Sequence, residues 1–187
     1  MVTWEEIERD ILDCSLCDDA YFPFPGYVGE YYYKSPVRVM FLGHCSDKRA
    51  YVPSADLAEQ TQKYYYELLK CSTGRFLYNN FLHKVGLGWD KVAFLNVYKC
   101  LRQDGIAPNG TGISNCFPHT HKQIKILRPE LIVVLGKPAR LAIEGLVLDT
   151  IVYPITHPGS PNFPMEERED AIAGMLEAYS AAQESLI

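Results

Sequence analysis

The sequence predicts an α/β fold in which a mostly parallel sheet is covered by helices on both faces. Three observations predict it. Four runs, "VRVMFLG", "KVAFLNVY", "PELIVVLG" and "DTIVYPITHP", are strand-like and mostly apolar rather than alternating, as in strands buried on both sides. Helical stretches separate them, the arrangement of successive βαβ units. Polar residues gather where the runs end, in "LGHCSD", "NVYKC" and "THPGSP", and open parallel sheets carry their sites at the carboxyl ends of their strands.

Each element has its own signal. "WEEIERDILDC" spaces Trp4, Ile7 and Ile11 as on one helix face, and a loop rich in Gly, Pro and Tyr follows, "DDAYFPFPGYVGEYYYKSP". "SADLAEQTQKYYYELLKC" opens on a Ser or Asp cap, and "GRFLYNNFLHKVG" is a second helix stopped by glycine. The loop "LRQDGIAPNGTG" leads to a helix around "CFPHTHKQIKILR", with Pro118 placed in its first turn. "KPARLAIEGL" is the next helix, and an amphipathic helix from about Met165 closes the chain. No repeat or low-complexity linker interrupts the order, so residues 1–187 are expected to form a single domain.

The 187 residues are 48% hydrophobic, enough for one well-buried core. Charged residues make up 22%, and no run is long and apolar enough to cross a bilayer. The acidic, amphipathic start resembles neither a secretory signal nor a transit peptide, so a cytoplasmic monomer without membrane contact is expected. A net charge of −5 argues against a generic nucleic-acid binder. The acid is concentrated at the two ends, however, while "HTHKQIKILRPE" and "GKPAR" carry a cluster of Lys, Arg and His.

Six cysteines in such a chain point to metal ligation or reactive thiols before disulfides. Cys14 and Cys17 form a C-x2-C pair, and Cys100 and Cys116 follow sixteen positions apart, while Cys45 and Cys71 stand alone. One tight pair plus two separated thiols suits a [4Fe-4S] cluster; zinc and unligated thiols are the alternatives.

In this order, the C-x2-C pair, "VMFLG", "FLNVYKC", Cys116, "QIKILRPELIVVLGKPA" and "THP" resemble the family 4 uracil-DNA glycosylases, from Cys14 to about Pro161. The resemblance implies a uracil-DNA glycosylase-like three-layer α/β/α sandwich with a four-stranded parallel sheet. It implies an iron–sulfur cluster on Cys14, Cys17, Cys100 and Cys116, DNA as partner, and removal of uracil. Asn96 matches the asparagine that reads the base edge, His157 the histidine facing the leaving base, and Gly43 the glycine that opens the first catalytic motif. That motif departs from the family. Where the family has GEAPG, the chain reads "GHCSD", and the stacking phenylalanine of "PFVG" is replaced near its place by Tyr51 of "AYVPSAD".

Cleaving an N-glycosidic bond builds positive character on the sugar and negative charge on the base. A flipped nucleotide needs a pocket, the departing base a donor, and the sugar a positioned water. His157 suits the donor, and Asn96 offers both donor and acceptor to a pyrimidine edge. His44 is the candidate to orient water, with Asp47 the alternative. In "SPNFPMEE", Ser160 and Phe163 belong to a loop suited to entering DNA, with Phe163 as an apolar wedge or else packed under the last helix. Lys137 of "GKPAR" is a candidate phosphate contact. The plainer readings are a loop His44, a satisfied turn His157 and an Asn96 that caps a turn.

The function expected is a monofunctional DNA glycosylase. It would act on uracil or a modified pyrimidine, in base-excision repair or in defence against modified foreign DNA. The competing reading is a non-catalytic DNA- or protein-binding module that kept the fold and the cluster.

Overall fold

Side-chain caps set where the first helices begin in the computed structural model, which describes residues 3–17, 20–45, 56–102 and 110–186. α1 (Trp4–Leu12) starts at Thr3, whose hydroxyl accepts from the Glu6 N–H while the Glu6 carboxylate accepts from the Thr3 N–H. α2 (Leu57–Lys70) starts at Asp56, whose carboxylate accepts from the Glu59 N–H at 2.8 Å. α3 (Ser72–Leu77) starts at Cys71, whose sulfur accepts from the Gly74 N–H at 3.2 Å. A π-helical turn, Tyr78–Leu82, prolongs α3, and Gly86 at φ 70° lies beyond it.

The sheet has five strands rather than the expected four. β3 (Val39–Gly43), β4 (Val92–Asn96), β6 (Leu131–Leu135) and β7 (Ile151–Ile155) are parallel, as the apolar runs predicted. The fifth, β2 (Tyr27–Val28), pairs antiparallel with β4 and makes the order β2-β4-β3-β6-β7. Two residues between Gly26 and Gly29 carry no readable periodicity, which is why a loop is expected there. A separate ribbon joins β1 (Ala20–Pro23) to β5 (Cys100–Arg102).

Alternate side chains of the buried strands face opposite layers. Phe41, Phe94 and Val133 pack with Tyr64, Leu68 and Leu77 of the first two helices after β3, and with Met175 of α6 (Met165–Glu184). Met40, Leu42 and Leu95 pack with Ile124 and Leu127 of α4 (Gly110–Leu127) and with Ala139 and Ile143 of α5 (Lys137–Ile143). Three layers result. Because α4 begins at Gly110, Pro118 sits inside it rather than in its first turn, and the Ser114 carbonyl loses its helical donor. Of the tyrosines before β3, Tyr32 is fully buried in the core cluster that holds Met40 and Ala93, whereas Tyr31 and Tyr33 are exposed.

Candidate active site

β3 and β4 run in register and end side by side, with Gly43 opposite Asn96. A Cβ on residue 43 would stand 2.6 Å from Asn96 Oδ1, so a glycine there is what lets the amide lie across the strand end. Asn96 is 5% exposed, and its Nδ2 donates to Tyr64 Oη at 3.2 Å. The Tyr64 ring lies 4.8 Å from that of Phe24. Neither ring was singled out from sequence as a site residue. The readable signal was the spacing of Gln60, Tyr64 and Leu68, the buried stripe of α2, which turns Tyr64 alone of "YYY" fully inward.

His157 follows β7 and is held by its own turn. Its Nδ1 accepts from the Gly159 N–H at 3.1 Å, so the neutral ring carries its proton on Nε2. Gly136, at φ 86°, lets the start of α5 approach, since a Cβ there would lie 3.2 Å from His157 Cβ. The Ser160 N–H donates to the His157 carbonyl at 2.8 Å, and Ser160 Oγ accepts from the Asn162 N–H at 3.2 Å. Burial first, and then the charge of nearby His44, hold the His157 imidazole below its ordinary value. His44 is itself lowered by burial, and among the described residues its buried Nε2 has no hydrogen-bond partner. It opens on a cleft of about 740 Å³ between α4 and α5, bordered by Ile113, Phe117, Lys137 and Leu141. The ends of β4 and β7 are separated by two strands. Three steps of about 4.8 Å put those ends roughly 14 Å apart, a gap that two side chains and a pyrimidine ring would fill.

The cysteines lie beside this site. Cys100 and Cys116 are buried against Tyr98, with Cys17 and Cys45 packed on them. The Asn115 amide donates to the Leu16 carbonyl at 2.9 Å and approaches Cys17 Sγ at 3.4 Å, drawing the C-x2-C loop onto α4. The Lys99 N–H donates to Cys116 Sγ at 3.4 Å. Burial raises the Cys116 thiol; the Lys99 N–H and ammonium oppose this, and the charges of Cys17 and Cys14 add to it. Lys99 itself is pulled down to about 7 by burial, with Cys116 and Cys100 favouring its charged form. Cys14, Cys17, Cys71 and Cys116 form no disulfide. Among the described residues no group of three or more His, Cys, Asp or Glu is disposed to hold a metal ion. Cys17, Cys100 and Cys116 share one corner, with Cys14 near enough for its charge to act on Cys116. Their chemistry nevertheless fits an iron–sulfur group: soft donors, an N–H already aimed at one sulfur, and a buried cation to offset negative charge.

The expected DNA contacts fare unevenly. Phe163 is 2% exposed and packs edge-on to Phe76 at 5.6 Å, while the Arg168 guanidinium stands 5.3 Å over its ring. The wedge is thus corrected to a core residue under α6, the packing alternative. Ser160 is half-buried and serves the His157 turn, whereas Lys137 is exposed at the first position of α5. Asp47 and Tyr51 lie outside the described residues.

A family model described as the uracil DNA glycosylase superfamily matches residues 30–177, a span that leaves out Cys14 and Cys17. The Type-4 uracil-DNA glycosylase of Sulfurisphaera tokodaii is 28% identical over 143 residues, 73% of this chain and 56% of the relative. The chain therefore spans a little over half the length of that curated relative.

Proposed function

Because the chain belongs to the uracil DNA glycosylase superfamily, we propose that it hydrolyses the N-glycosidic bond of uracil in DNA and leaves an abasic site. The observation that carries this reading is the state of His157. It is a partly buried imidazole whose Nδ1 is already engaged as an acceptor, so Nε2–H remains to donate.

In this reading the flipped uracil lies between the ends of β4 and β7. Asn96 reads its polar edge, and Gly43 keeps the strand end open for the amide. As the bond from C1′ to the base breaks, its electron pair moves onto the base. His157 Nε2–H stabilises the developing oxyanion without giving up its proton. Water adds its hydroxyl to C1′ and releases one proton, which ends on the base or in solvent. His44, kept neutral by burial, orients that water, with Asp47 as the alternative. Lys99 is buried and hydrogen-bonded, which supports a water nucleophile over an amine. Cys14, Cys17, Cys100 and Cys116 would hold a [4Fe-4S] cluster, which supplies a cross-link between the first loop, β5 and α4. DNA is the partner, contacted in part by Lys137, and the enzyme acts as a cytoplasmic monomer in base-excision repair. Among the described residues no helix is long and apolar enough to cross a membrane.

The test is a panel of oligonucleotides carrying uracil or 5-modified pyrimidines, treated with alkali after incubation. Cleavage at uracil is expected, with no borohydride-trapped adduct. A panel left intact throughout would refute the reading.

A further inference from the structure

Lys99 lies between the asparagine and the cysteines, and its side chain is buried, at 3% exposure. Its Nζ donates to the Asn96 carbonyl at 2.5 Å and to Oε1 of Gln123. The Gln123 amide in turn donates to the Pro25 carbonyl at 2.6 Å, and the Phe24 N–H donates to the Lys99 carbonyl at 2.8 Å. These contacts close a ring. Phe24 packs on Tyr64, Tyr64 accepts from the Asn96 amide, and the Asn96 carbonyl accepts from Lys99. The same residue's backbone N–H reaches Cys116 Sγ.

A buried ammonium is costly unless its charge is balanced. The two oxygens that its Nζ touches, the Asn96 carbonyl and Gln123 Oε1, are both neutral. A hydrophobic side chain would fill this position more cheaply. The placement therefore points to a use beyond packing.

We propose that Lys99 is a positioning residue that ties the cysteine centre to Asn96 and so fixes the amide that reads the base. The inference rests on the glycosylase reading for its effect on activity, though not for its effect on structure. Disturbance at the thiols then reaches the base pocket through one residue, whose backbone N–H meets Cys116 and whose Nζ meets the Asn96 carbonyl, while Lys99 itself touches neither base nor sugar.

The test compares the wild type with Lys99→Met, which keeps length and removes the donors, and with Gln123→Leu, which removes only the second acceptor. Three quantities are measured: iron per chain, kcat and KM for uracil excision, and the Asn96–Tyr64 contact in a crystal structure. In Lys99→Met, iron is expected to stay at the wild-type level and the Asn96 Nδ2–Tyr64 Oη contact to be lost. kcat should fall about 10- to 100-fold, as for a misplaced catalytic geometry, with KM within about twofold. Gln123→Leu should move the same quantities in the same direction by less, and it carries the test if Lys99→Met does not fold. Two results would overturn the proposal. One is an intact contact with kcat within twofold of wild type. The other is iron and activity lost together and restored together on reconstitution, which would make Lys99 a support of the cluster only. A wild type that releases no base would refute the glycosylase reading alone, because the crystal contact still reports the coupling.

Discussion

Gly43→Ala puts a methyl group where the structure has almost no room, 2.6 Å from Asn96 Oδ1. Even a close C–H···O contact needs about 3.3 Å, so something must yield by roughly 0.7 Å. The strands are poor candidates. Leu42 and Leu95, the preceding pair in the ladder, are fully buried, and β3 is hydrogen-bonded on both sides. The Asn96 amide moves instead, and its 3.2 Å bond to Tyr64 already sits at the long end of the normal range. A displacement approaching 1 Å in a positioned group costs up to about 10²-fold in rate. We therefore expect kcat/KM for uracil excision to fall on the order of 10- to 100-fold, with about 1–3 kcal/mol of overpacking cost to stability. Single-turnover excision from a labelled oligonucleotide measures the first, and urea unfolding the second. The reasoning also demands that the activity penalty vanish in an Asn96→Ala background, where no Oδ1 remains to be struck. An unchanged penalty there, or a Gly43→Ala enzyme within twofold of wild type, would refute it.

His157→Ala should lower kcat by about 10²–10³-fold, the usual cost of removing one oxyanion donor, while circular dichroism stays native. His157 and His44 both have lowered values in the folded chain, so the unfolded chain binds more protons as pH falls. Their contribution to stability is then complete above about pH 6.5 and lost below it, which denaturant titrations across pH 5–8 should show. Because His44 helps to lower His157, His44→Gln should move the acid limb of kcat upward in pH. Cys100→Ser and Cys116→Ser should each lose iron and visible absorbance, whereas Cys71→Ser, altering only a helix cap, should keep both. Phe163→Ala should cost about 3–5 kcal/mol of stability as a core truncation; weaker DNA binding at full stability would instead restore the wedge.

Long-period signals were readable in advance. All four apolar runs became parallel strands: β3, β4 and β6 are buried throughout, as a run apolar at every position announces in one dimension, while β7 at the sheet edge leaves Val152 and Pro154 exposed. Short or bent features were not readable. Tyr27–Val28 became a strand only because β4 offered it a free edge, and α4 began well before Pro118. Phe163 shows the same limit, since an apolar residue between Asn and Pro reads alike as wedge or core until α6 is seen lying over it.

The chain by itself determined the fold class, the superfamily, and the placing of Gly43, Asn96 and His157 at strand ends, since each depends on local pattern or on motif. Only the tertiary structure decided that Tyr64 holds the asparagine, that the Gly159 N–H selects the histidine tautomer, and that a buried lysine stands between the base pocket and the thiols. Those contacts join residues whose order in sequence carries no record of distance. Hydrogen bonds are set by atoms within about 3 Å, and that proximity exists only once the sheet has closed around them.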